Sequence, residues 1–177
     1  LYTPRDDYFS ENLAVTDEVL LHCDTISEQL KKNNIDGLDY LKLDTMNSEY
    51  EILKGLGTYR PLLIKTDVNV INKYKNAPCW TELLTYLYNL GYMTCQWVDY
   101  SAHVTRSPVT TEMLFVLDYR KDLYKEYIKT KESKFVSLML IFGQVGFLKH
   151  ISNALSFQSD HLLKKIKCPF SNYHKII

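Results

Sequence analysis

Two short segments of the chain end alike. Leu38-Asp-Tyr-Leu-Lys-Leu-Asp44 and Leu62-Leu-Ile-Lys-Thr-Asp67 are mostly apolar runs closing on Lys-x-Asp, and each is followed by residues at helical spacing. The turn pair Asp36-Gly37 introduces the first run, and the apolar content fits strands covered on both faces. After the first, Asn47 or Ser48 can cap a helix. Glu49 and Glu51 suit its positive end, Ile52, Leu53 and Leu56 supply an apolar stripe, and Gly55 or Gly57 can end it. After the second, Pro78 opens a helix carrying Trp80, Leu83, Leu84, Leu87 and Leu90 before Gly91. Strand, helix, strand, helix at this spacing restricts the chain to an α/β architecture with a parallel pair.

Ligands of open α/β sheets gather outside the carboxyl ends of the strands, which directs attention to residues 44–47. Parallel neighbours lie about 4.8 Å apart, so Asp44 and Asp67 are expected side by side at one end of the sheet. Carboxylates that close resist ionising together, which suits a proton acceptor, a pair of metal ligands or a grip on substrate hydroxyls. The other reading is two solvated acids with Lys42 and Lys65 as partners.

Further pieces fall around this centre. Thr25-Ile-Ser-Glu28 reads as a capping box for a helix carrying Ile26 and Leu30. Residues 19–23 read as a short strand around His22, either a core histidine or a catalyst. Residues 93–98 and 112–117 read as two more strands. The polar loop joining them carries His103, a general base or a plain surface histidine, and Arg106, a contact for an anion.

Taken in order, Thr25-Ile-Ser-Glu-Gln-Leu, Leu38-Asp-Tyr-Leu-Lys-Leu-Asp, Ser48-Glu-Tyr-Glu-Ile-Leu-Lys-Gly, Ile64-Lys-Thr-Asp and Leu90-Gly-Tyr resemble the FkbM family of S-adenosylmethionine-dependent methyltransferases. The resemblance runs from about Leu1 to Leu117, with residues 1–4 matching a strand and a variable loop following that holds Arg5, Asp6, Asp7 and Ser10. Lys42, Asp44, Glu49, Leu53, Lys54 and Gly55 fall on the central motif. The family's Glu-Gly is Met46-Asn47 here, and the acid of the next strand, usually Glu, is Asp67.

The resemblance implies part of a class I, Rossmann-like methyltransferase sheet, mostly parallel with a C-terminal antiparallel hairpin. It implies S-adenosyl-L-methionine as cofactor and methyl transfer to a hydroxyl of a sugar, glycolipid or similar small acceptor. Asp44, Asp67 and Lys42 would then be catalytic, and Thr45, Met46, Asn47, Glu49 and His103 would contact the acceptor. No metal is expected. The Gly-rich turn that holds the cofactor in this class is absent from the six glycines, and the chain begins with Leu. It is therefore expected to be the second half of such an enzyme, inactive by itself. The alternative is a non-catalytic binding module that keeps the half-fold.

Residues 119–177 form a separate electrostatic body. Arg120 and ten lysines stand there against four acids, a net of +7 that leaves −7 for residues 1–118 in a chain with no net charge overall. The expected division is thus residues 1–118 and a basic helical tail, residues 119–177. Leu123, Tyr127 and Ile128 give one helical face, and residues 135–148 are almost uninterruptedly apolar. A bilayer needs about 20 such residues, so this run is a packed helix, a partner surface or an interfacial contact with a membrane. No motif of a nucleic-acid reader is present. Cys23, Cys79, Cys95 and Cys168 are scattered without a C-x-x-C pair, which fits a reducing, cytoplasmic setting and no structural zinc.

Overall fold

A computed structural model of the chain describes residues 17–45, 47–99, 110–158, 160–163 and 165. Met46, His103 and Arg106 lie outside these, as do residues 1–4 with their expected strand, Arg5, Asp6, Asp7, Ser10 and Cys168. The elements are α1 (Ile26–Lys32), β1 (Tyr40–Leu43), α2 (Glu49–Lys54), β2 (Leu63–Asn69), α3 (Trp80–Asn89), β3 (Tyr92–Asp99), β4 (Thr110–Leu117), α4 (Asp122–Thr130), α5 (Glu132–Ile141), α6 (Val145–Leu155) and α7 (Asp160–Leu163). They fall into two compact units, Leu1–Val116 and Leu117–Ile177.

In the first unit, β1 and β2 run parallel, from Tyr40 opposite Leu63 to Leu43 opposite Thr66. The chain between them forms α2, the crossover that a parallel pair requires. Strand β4 then lies antiparallel to β2, from Leu63 opposite Val116 to Asn69 opposite Thr110, and the sheet order is β1-β2-β4-β3. This corrects the expectation of a mostly parallel sheet, since β1–β2 is the one parallel pair among the described residues. The reason is connectivity. A helical crossover places β2 beside β1, whereas α3 leads to β3 at the far edge, and β4 lies between β2 and β3 in the opposite sense to β2.

Burial along β2 follows the period of two. Ile64, Thr66 and Val68 are buried on one face, with Met113 and Phe115 of β4 beside them. The opposite face is apolar at Leu63, Leu114 and Val116, then turns polar at Lys65, Asp67, Asn69, Thr110 and Glu112. The polar residues thus gather at the carboxyl end of β2.

Local signals account for the helices. The Thr25 side chain accepts from the Glu28 amide at 3.2 Å and Glu28 Oε2 accepts from the Thr25 amide at 3.0 Å, the reciprocal box that starts α1. Gly55 ends α2 and lies against α1: a Cβ there would meet the Thr25 Cβ at 3.1 Å, and the Gly55 carbonyl accepts from the Ser27 amide at 3.0 Å. Residues 19–23 differ from expectation. They form no strand, Val19, Leu20 and Leu21 are 71%, 100% and 71% exposed, and the His22 side chain is 94% exposed rather than in a core. An apolar run becomes a strand only beside a partner, and no described strand pairs with it.

The second unit is helical. Ile128 of α4 is fully buried, whereas Leu123 is 75% exposed, so the two do not share a covered face. The run 135–148 is divided between two helices, because Gly143 takes a left-handed φ of 67° between α5 and α6. Phe135 and Met139 of α5 and Leu148, Ile151 and Leu155 of α6 are buried, and the Phe135 and Phe157 rings meet edge to face at 6.0 Å. Phe135, Met139 and Leu148 of the apolar run are therefore used as core within this unit, whereas Leu140 and Ile141 are exposed. No helix among the described residues is long and apolar enough to cross a membrane.

Candidate functional site

The parallel register determines the centre of the site. Lys42 lies opposite Lys65 and Leu43 opposite Thr66, so one further step brings Asp44 beside Asp67. Across the other edge of β2, Asp67 pairs in register with Glu112. Asp67 thereby stands between Asp44, just past the end of β1, and Glu112 on β4.

The lysines divide unequally. Lys42 Nζ lies 3.3 Å from Asp44 Oδ2, with both side chains about half exposed. Lys65 Nζ instead meets Glu112 Oε1 at 2.7 Å, with side chains only 23% and 14% exposed. The expected Lys65–Asp67 partnership is therefore replaced by Lys65–Glu112, because β4 presents a carboxylate on the same face. Asp67 holds its proton more tightly than an ordinary aspartate. Partial burial is the chief cause, and the carboxylates of Asp44, Glu112 and Glu49 add to it, against a smaller opposing effect of Lys42. Lys73, beyond β2, is shifted below the ordinary lysine range by burial, with Asp67 opposing the shift.

The loop between β1 and α2 is held from inside. Glu49 is only 3% exposed, and its Oε1 accepts from the Thr45 amide at 2.8 Å and from Thr45 Oγ1 at 3.1 Å. Neither Asn47 nor Ser48 acts as the expected cap: Ser48 occupies the N-cap position without a side-chain bond. Asn47 takes a left-handed φ of 89° and is buried, and its Oδ1 accepts from Asn69 Nδ2 at 3.0 Å. Thr110 Oγ1 donates to Asn69 Oδ1 at 3.1 Å, which joins the loop to β2 and β4. Asn47, Glu49, Asp67, Asn69, Pro78 and Trp80 line a small recess beside this chain, with about 20 Å³ open to the centre of a water molecule.

The fold thus gathers Lys42, Asp44, Thr45, Asn47, Glu49 and Asp67 at one end of the sheet. Expected contacts Met46 and His103 lie outside the described residues. Glu112, Asn69, Thr110 and Lys73 join the site without having been anticipated. Glu112 was visible only as the start of a strand, and its meeting with Asp67 depends on which strand β4 chooses as neighbour. No group of three or more His, Cys, Asp or Glu residues suited to a metal ion occurs among the described residues. Burial pushes the thiol of Cys95, a half-buried residue of β3, up to about 12, which leaves little reactive thiolate near neutral pH.

Replacing Lys65 by Met should expose the balance of charge. Glu112 would then face Asp67 without its own ion-pair partner, which is expected to raise the Asp67 pKa further. A raised carboxylate pKa means that stability falls as pH rises through the window above the ordinary aspartate range and returns on acidification. The expected loss is about 1–3 kcal/mol near pH 7, between the values for exposed and buried pairs, and it should shrink in acid. Urea denaturation at both pH values measures it. An equal loss at both would assign the effect to packing alone.

Compared with known proteins, the chain matches no protein-family model, no curated protein and no solved structure.

Proposed function

We propose that the first unit is the acceptor-binding half of an S-adenosylmethionine-dependent O-methyltransferase of the FkbM type, acting on a hydroxyl of a sugar, glycolipid or similar small molecule. One observation carries the reading. Asp44, one residue past the end of β1, and Asp67, two residues before the end of β2, meet across the parallel pair, and Asp67, partly buried among acids, has the raised proton affinity of a group able to take a hydroxyl proton. The sheet also ends in a β3–β4 pair, the hairpin that the class I resemblance implies.

In this reading Asp67 accepts the proton of the bound hydroxyl, and Asp44, steadied by Lys42 at 3.3 Å, orients that hydroxyl. Thr45, tied to Glu49, and Asn47, tied to Asn69, form the wall of the acceptor site. Activity should rise with pH through the elevated Asp67 value, because only the ionised carboxylate accepts a proton. When bound, S-adenosylmethionine would supply the methyl group. The described residues do not fit it: Gly37 precedes β1, Gly55 ends α2, Gly57 and Gly91 are left-handed turns, Gly143 separates α5 from α6 and Gly146 lies within α6, leaving no glycine-rich cradle. The cofactor-binding residues would have to come from outside the described residues, and the described units by themselves are expected to be inactive.

That same use of glycines favours a second reading, a binding module without catalysis. Methyl-labelled S-adenosylmethionine, incubated with the natural protein and a panel of hydroxylated acceptors, separates the two. Label moving to an acceptor supports the enzyme. Absence of both transfer and calorimetric heat with the cofactor favours the module.

A further inference from the structure

Asn47 carries a cost that the fold itself does not recover. It adopts a left-handed backbone at φ 89°, and Nδ2 of its buried side chain has no hydrogen-bond partner. A buried donor left unpaired costs about 1–3 kcal/mol. Glycine would take the same backbone angle without an orphaned donor. The cost therefore belongs to the carboxamide, and the carboxamide is held firmly, its Oδ1 engaged by Asn69 Nδ2 at 3.0 Å and Asn69 in turn by Thr110 at 3.1 Å.

The surroundings limit what the free N–H can bind. Asn47 and Asp67 line the same recess, and Asn69, which fixes the Asn47 amide, lies two residues beyond Asp67 and so on the same face of β2. Its roughly 20 Å³ admits about one water-sized atom. A ligand carboxylate there would meet Asp67 and Glu49 and, beyond them, Asp44 and Glu112. A cation has no use for an N–H donor, and an apolar group would leave Nδ2 unpaired. A hydroxyl both accepts and donates, and it is the small group that satisfies Asn47 and Asp67 together.

We propose that this recess is a subsite for one hydroxyl oxygen of a polyhydroxylated ligand, with Asn47 Nδ2 donating to that oxygen and the hydroxyl donating its hydrogen to Asp67. Naming this hydroxyl as the methyl acceptor rests on the methyltransferase reading; its binding does not, because no cofactor takes part.

The test is a side-chain amide NMR titration of the ¹⁵N-labelled chain with glycerol and D-glucose, using 1,2-dimethoxyethane as a probe that has oxygens but no hydroxyl. The Asn47 Nδ2 proton pair should shift saturably with the polyols and stay unmoved by the ether. Asn47→Gly, which suits the backbone angle, should keep the remaining spectrum and weaken polyol binding at least ~10-fold. Amide protons indifferent to both polyols, an equal response to the ether, or undiminished binding by Asn47→Gly would each overturn the subsite. Polyol binding retained in a protein that transfers no methyl group would overturn the methyltransferase reading and leave the subsite standing.

Discussion

Exchanging Asp67 for Asn is expected to lower methyl transfer by the natural protein at least ~10²-fold, the usual contribution of a positioned proton acceptor. Asparagine keeps the shape and the hydrogen-bonding reach but cannot take a proton. The same change should not weaken the fold. The folded state holds the Asp67 proton more tightly than the unfolded chain does, so the ionised group opposes folding at neutral pH. Asp67→Asn should therefore raise the melting temperature near pH 7, with the gain fading as pH falls into the ordinary carboxylate range. Opposite signs for activity and stability mark a group retained for chemistry. A near wild-type rate would remove Asp67 from the reaction, and a lower melting temperature would mean that its carboxylate stabilises the fold.

Truncating Phe115 to Ala is the largest stability loss expected in the first unit, about 3–5 kcal/mol. Phe115 is fully buried and lies opposite Ile64 on β4, the strand between β2 and β3. Its removal opens a cavity against the strand that carries Asp67. Single domains are stable by about 5–15 kcal/mol, so the variant should lose much of its margin. Leu123→Ala, at a residue 75% exposed in the helical unit, is the control and should change stability by no more than about 0.5 kcal/mol. Urea denaturation followed by circular dichroism compares them. Equal, small effects would mean that Phe115 is not the core residue described above.

What the sequence revealed and what it withheld divide along a physical line. Periodicity and punctuation are local, and they gave β1, α2, β2 and α3 to within a few residues, with Thr25 and Gly55 marking helix ends by chemistry that acts over three or four positions. The adjacency of Asp44 and Asp67 was legible because a strand, a short helix and a strand impose a parallel pair. Pairing across the sheet is non-local. Nothing near Glu112 announces that β4 inserts beside β2, so the Lys65–Glu112 pair and the crowding of Asp67 were hidden until the order β1-β2-β4-β3 was known. Residues 19–23 failed for the opposite reason: their composition suits a strand, but strand character needs a neighbour. Asn47 stands out in the sequence as a departure from a motif, while the environment of its amide depends on Asn69, 22 positions away.

The partly buried position of the Asp67 carboxyl, between neighbouring acids, is the physical basis of the functional account, and carboxyl ¹³C NMR titration of this residue tests it most directly. The expected midpoint lies above the ordinary aspartate value and moves down towards it in Asp44→Asn, which removes one of the charges responsible. An ordinary midpoint that Asp44→Asn leaves unchanged would contradict the account.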